Sequence, residues 1–244
     1  MIRKNKQKDI DTTETAVDAD VDATVENTVG ENATGTDAEL EAIDADVEDA
    51  GTDLSKAAPS DRSTEGPLDE AEANSVRPYI DLGGVKILPR EGLNLRLEVE
   101  ESTKRIVAVG LDYAGSTLQI QPFAAPRSTG LWNETRVQIQ EQIAKQGGTV
   151  TERDGVFGPE LVAEVPVVQG SNGAAGMRIA RFVGVDGPRW FLRGVIAGEG
   201  ATDPDAAAKV EDLFRSIVVV RGSAPMPPRD LIPLRMPASA TPAT

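Results

Sequence analysis

The feature that most constrains this chain is how unevenly its aromatic and charged residues are placed. All nine aromatics lie between Tyr79 and Phe214, and the first third has none. Residues 1–75 hold six Lys/Arg against twenty-one Asp/Glu, so they carry the whole net charge of −15; residues 76–244 are neutral overall. A like-charged stretch without aromatics cannot bury enough apolar surface to offset the entropy of ordering its backbone. Residues 1–76 are therefore expected to be a disordered acidic tail, residues 77–222 one globular domain, and residues 223–244 a Pro-rich extension. The neutral part is long enough for a proper core.

The composition also removes chemistries. There is no Cys and no His among the 244 residues. Disulfides, thiolate nucleophiles, Cys/His zinc sites and Ser-His-Asp triads are excluded. No cofactor or metal site is expected. The start, "MIRKNKQKDIDTTET", is basic but lacks the apolar core of a secretory signal. No apolar run approaches a transmembrane length. A cytoplasmic protein is expected, with no membrane partner. Nucleic acid is not an expected partner either, since a neutral domain with an acidic tail lacks the basic face that phosphates need.

Within the tail, Leu40, Ile43, Val47 and Leu54 fall on one helical face, but Gly51 interrupts it. The readings are a segment that folds onto a partner or a weak nascent helix. Thr12, Thr13 and Thr15 sit among acids and are candidate phosphorylation sites; the competing reading is ordinary disordered composition.

Beyond Tyr79, hydrophobic alternation marks strands. In "LNLRLEVEE", Leu93, Leu95, Leu97 and Val99 take one face. "RIVAVGL" and "TLQIQPF" follow after short polar turns, which predicts an antiparallel meander with one wet face. A helix is predicted over "LWNETRVQIQEQIAK", with Trp132, Ile139 and Ile143 on one face and Gly147-Gly148 as its stop. Further strands lead to a hairpin, "MRIARFVGV" turning into "RWFLRGVIAG". A second helix is marked by Asp203 as N-cap and Pro204 at N1, with Val210, Leu213, Phe214 and Ile217 inward. "IVVVRG" is a last strand. Leu231, Ile232 and Leu234 are placed to pin the first half of the C-terminal extension. The order is βββ-α-βββ-α-β, an α+β fold of mostly antiparallel sheet with helices packed on it, similar in architecture to PsbP-like α/β/α sandwiches. That likeness carries no function.

Four longer motifs, "FAAPRSTGLWNE", "GPELVAEVPV", "VDGPRWFLRGVIAG" and "VVVRGSAPMPPRDLIPLRMP", resemble an uncharacterised actinobacterial family classed as a domain of unknown function. The resemblance covers roughly Asp81 to Pro237. It implies a bacterial, cytoplasmic protein, and brings no activity, ligand or catalytic residue with it.

Three places are candidates for chemistry. Arg127, Ser128, Thr129 and Gly130 precede the first helix, where free N–H groups favour an anion and Arg127 adds a charge. The competing reading is that Ser128 or Thr129 caps the helix and Arg127 is solvated. The stretch lacks the spacing of a phosphate-binding G-x-x-x-x-G-K-[ST] loop. The hairpin is the second place, and its register depends on whether its loop uses two, three or four residues. With three, Phe182, Trp190 and Leu192 share a face, while Arg181, Arg189 and Arg193 share the other with Val183 and Phe191. That cationic face is suited to an acidic partner or to the chain's own tail; the alternative is an ordinary solvated sheet with Trp190 in the core. Third, Glu160 and Glu164 share a strand face, and Asp112 precedes Tyr113, a weak basis for acid–base or metal work.

These readings favour a non-enzymatic protein-interaction domain whose acidic arm tunes association or blocks the site. The alternatives are a sensor of a small anion at Arg127–Gly130 and, third, a carboxylate- or metal-dependent enzyme.

Overall fold

The computed structural model describes residues 53–169 and 174–237. Leu40, Ile43, Val47 and the three threonines Thr12, Thr13 and Thr15 lie outside the described residues. A single helical turn, α1 (Arg62–Glu65), opens the folded chain. Three short strands follow: β1 (Leu68–Asp69), β2 (Ile80–Asp81) and β3 (Val85–Ile87). The predicted meander is β4 (Asn94–Val99), β5 (Ile106–Tyr113) and β6 (Ser116–Ala124). Helix α2 (Trp132–Lys145) comes next. Between the helices the chain makes four long strands where the predicted order has three: β7 (Thr149–Gly155), β8 (Gly158–Gln169), β9 (Ala174–Asp186) and β10 (Trp190–Gly198). A 3-10 turn leads into α3 (Pro204–Arg215), and β11 (Val218–Val219) closes the set.

The long strands form one antiparallel sheet in the order β4-β5-β6-β10-β9-β8-β7. Hairpins connect neighbours in sequence, and only the β6-to-β10 pairing is non-local, so it is the contact that closes the two halves into one sheet. A smaller sheet, β1-β11-β3-β2, gathers the short strands. The fold is α+β and mostly antiparallel.

Two cores occupy the two faces of the large sheet. On one, Leu111, Leu118, Ile120, Val183, Val185, Leu192 and Ile196 meet Val210, Leu213 and Phe214 of α3 and Val85, Ile87 and Val219 of the small sheet. On the other, Trp132, Ile139 and Ile143 of α2 pack on Leu161, Ala163 and Phe191. The inward faces predicted for both helices are the faces that are buried. Asp203 caps α3 as expected, its side chain accepting from the Ala206 N–H at 2.8 Å.

The ends of the fold differ from the sequence boundaries. Residues 53–76, assigned above to the tail, contain α1 and β1 and join the domain. Leu68 and Asp69 pair with Val218 and Val219. Arg62 lies over the Trp190 ring at 5.6 Å, and the Trp190 indole N–H donates to Asp69 at 2.9 Å. Backbone pairing and single polar contacts hold this segment, and neither leaves a hydrophobic period in sequence. At the other end Ile232 is buried, with its N–H on the Pro122 carbonyl at 2.9 Å. Leu231 and Leu234 form bridges to Phe123 and Gly83. No helix among the described residues is long and apolar enough to cross a membrane.

Candidate functional site

The hairpin turn decides where the candidate residues go. Phe191 pairs with Asp186, Leu192 with Val185 and Arg193 with Gly184. The loop therefore holds four residues, Gly187 to Trp190, closed by the Gly187 N–H on the Trp190 carbonyl at 2.8 Å. The grouping expected for a three-residue loop is overturned. Arg181 and Val183 lie with Trp190 and Leu192 on the α3 face; Phe182, Phe191 and Arg193 lie on the α2 face. One residue of register moves a whole strand's side chains to the opposite side. Gly187 is needed here: a Cβ on it would stand 2.1 Å from the folded-back Trp190 ring.

Arg181 is consequently buried, not a surface cation. It forms a two-pronged pair with Glu160, at 3.2 Å through Nε and 2.8 Å through Nη2, and donates to Glu211 at 2.5 Å and to the Gly200 carbonyl at 3.1 Å. Arg153 adds a 2.6 Å bond to the same Glu160. Burial works against the Arg181 charge, but its bonds to Glu160 and Glu211 outweigh it and raise the pKa. The group lines an open groove of ≈ 330 Å³ beside the start of α3. Its donors and acceptors are spent on one another. Glu164 is exposed and Glu160 is not, so the two do not form a carboxylate pair. Asp112 is held by Arg96 at 2.8 and 3.0 Å. No cluster of three metal-ligating side chains occurs among the described residues.

At the start of α2, neither Ser128 nor Thr129 caps the helix; Leu131 stands at the N-cap position without a side-chain bond. The capping anion comes from far away in sequence. The carboxylate of Asp186 accepts from the Leu131 N–H at 2.8 Å, the Trp132 N–H at 3.3 Å and the Ala57 N–H at 3.1 Å. The helix end attracts negative charge, but the charge is the protein's own and it takes the N–H groups of Leu131 and Trp132 rather than any of Arg127–Gly130. Burial is the largest influence on Asp186 and pushes its pKa up, against these bonds and the Lys56 charge. The Ala57 carbonyl accepts the Asp186 N–H at 2.8 Å, and the Leu54 carbonyl accepts the Gly130 N–H at 2.9 Å. Lys56 donates to the carbonyls of Pro126 at 3.1 Å, Pro188 at 3.0 Å and Gly187. Residues 53–57 are thus a strap across the hairpin turn and the start of α2. Sequence reasoning missed both Asp186 and Lys56.

The remaining arginines gather at this end of the sheet. Arg127 is exposed two residues beyond Ala125, whose N–H is bonded to the Arg189 carbonyl at 3.0 Å. Arg189 itself reaches the Gly222 carbonyl at 2.9 Å, and Arg221 reaches the Ala224 carbonyl at 2.9 Å. None of the three has a carboxylate within 4.0 Å among the described residues. Arg193 is half-buried on the α2 face, over the Phe123 ring at 5.9 Å and bonded to Gln121. Burial draws its pKa down to about 10, which still leaves it charged at neutral pH. Phe191 is core, stacked between Trp132 and Phe123 at 5.9 and 6.0 Å.

Over residues 66–243 the chain matches a family described as proteins of unknown function (DUF3710). It belongs to that family. No curated protein and no solved structure matches the chain. The DUF3710 region takes in the hairpin, both long helices and the C-terminal segment, but begins after the strap, at the residue that follows α1.

Proposed function

We propose that this DUF3710 protein is a non-catalytic, cytoplasmic protein-interaction module whose acidic arm regulates what its arginine-bearing end binds. The observation that carries the reading is the rim formed by Arg127, Arg189 and Arg221. Among the described residues these cations stand without carboxylate partners, at the end of the sheet that the strap crosses. Elsewhere the charged groups of the candidate sites neutralise one another, as Asp186 does α2 and Glu160 does Arg181.

An acidic segment is the complement of such a rim. Residues 1–52 hold four Lys/Arg and fifteen Asp/Glu. Covalently joined to the domain through Asp53, the arm competes with an outside acidic ligand at high effective concentration. The test compares binding of a synthetic acidic peptide to the full chain, to a chain starting at Asp53, and to an Arg127→Glu/Arg189→Glu/Arg221→Glu variant of it. The shortened chain is expected to bind more tightly, with strong salt dependence, and the variant to lose binding. Equal affinity for all three proteins refutes the reading. The cut belongs before Asp53, since removing residues 1–75 also removes Lys56, Arg62 and β1.

A further inference from the structure

The strap sits in a site whose walls belong to the rigid part of the fold. Three backbone carbonyls converge on the Lys56 ammonium: Pro126, just past the end of β6, and Gly187 and Pro188 of the hairpin turn. The packing of Trp190 on Gly187 and the closing bond of the turn hold two of these carbonyls in place. Beside them Asp186 takes the Ala57 N–H on its carboxylate and gives its own N–H to the Ala57 carbonyl, a two-point backbone pairing. The Ala57 side chain rests against the α2 core. Gly130 lets the strap lie close, because a Cβ there would be 2.4 Å from the Ser55 carbonyl oxygen and 2.9 Å from Lys56 Cα.

What this cradle asks of an occupant is narrow. It needs one ammonium on a long stem, a small residue immediately after it, and that residue's backbone N–H and C=O free to pair with Asp186. Three converging carbonyls and a nearby carboxylate suit a primary ammonium with its three donors. The occupant in the structure meets these terms, while Asp53, Leu54 and Ser55 before it remain exposed. We propose that the cradle is a docking site for a lysine-bearing peptide of a partner, and that Leu54–Ala57 hold it in cis as a built-in competitor. Binding in trans displaces the strap and frees the arm from its attachment point. This goes beyond the arginine rim, which takes acids; the cradle takes a base, and either stands without the other.

The probe is the blocked hexapeptide LSKAAP, the strap's own sequence. Against the wild-type full chain it competes with a tethered copy of itself, so its apparent affinity is reduced by the fraction of open cradle. Lys56→Met keeps the stem and removes the ammonium from the competitor. This variant, with native near-UV circular dichroism, is expected to bind the peptide roughly tenfold or more tightly than wild type, and not to bind LSMAAP. A natively folded variant that shows no saturable binding overturns the proposal. Independently of that variant's folding, the absence of cysteine allows a single spin label at Leu54→Cys, an exposed position. Millimolar LSKAAP is expected to mobilise the label and LSMAAP to leave it immobile. A label that stays immobile with both peptides overturns the proposal as well.

Discussion

Replacing Asp186 by alanine tests the central joint of this structure. Its carboxylate accepts from the N–H groups of Leu131, Trp132 and Ala57, at 2.8, 3.3 and 3.1 Å. Leaving a buried N–H without a partner costs about 1–3 kcal/mol. The Trp132 bond is long and the strap frays into water once Ala57 is released, so the three do not add fully. Burial also penalises the carboxylate itself, as its raised pKa records, and alanine removes that penalty. The balance is a loss of about 3 kcal/mol, a large part of the ~5–15 kcal/mol that holds a domain folded. With a urea slope of about 1–3 kcal/mol per molar, the midpoint is expected to fall by roughly 1–3 M. Fluorescence reports it directly, because Trp132 and Trp190 flank the joint. Asp186→Asn keeps one oxygen and is expected to lose about half as much. Ser128→Ala and Thr129→Ala are expected to stay within about 0.5 kcal/mol of wild type. A cost for Asp186→Ala below about 1 kcal/mol, or an equal cost at Ser128 or Thr129, refutes the assignment of the cap.

Four further outcomes are expected. Glu160→Gln leaves Arg181 buried with a single carboxylate and costs about 3 kcal/mol in urea titration, whereas exposed Glu164→Gln is near neutral. Gly187→Ala forces a methyl against the Trp190 ring, costs about 1–3 kcal/mol and changes the near-UV signal of that indole. Asp203→Ala removes the α3 cap for about 1 kcal/mol, read as a lower thermal midpoint. The pH dependence has a sign. Because the folded pKa of Asp186 is raised, between the ordinary carboxylate value and the folded one the native state holds a proton that the unfolded chain has released. This group's stabilisation is therefore full below the ordinary carboxylate pKa and is lost as pH rises through the folded value. The stability difference between wild type and Asp186→Asn, measured by urea titration across acid pH, is expected to shrink as pH rises.

Much of the architecture was legible because it rests on local periodicity. The alternation Leu95-Leu97, the helical faces of Trp132-Ile139-Ile143 and Val210-Leu213-Phe214, and the Asp203-Pro204 start each depend on neighbouring residues of one element. The candidate site was not legible in this way. For Arg127–Gly130 the sequence offers an anion site or a Ser128/Thr129 cap, and neither reading finds Asp186, which lies in another hairpin where an Asp-Gly-Pro run reads only as a turn. The three arginines assigned to one face fell on different sides because a fourth loop residue shifts the register. Lys56 was placed in the tail because its segment has no aromatic and no apolar period. What it does have is one long side chain that reaches three backbone carbonyls.

The sequence by itself determined the β4–β6 meander, both long helices and their buried faces, the absence of Cys- and His-based chemistry, and the concentration of negative charge before the domain. These depend on residue type and on spacings shorter than one helix or strand. Only the tertiary structure decided which charges are spent and which are free. Asp186 with α2 and Lys56 with the hairpin turn are pairings across more than fifty residues of chain. A charge's partner is set by distance in space, and for such pairs the sequence carries no period from which that distance can be read.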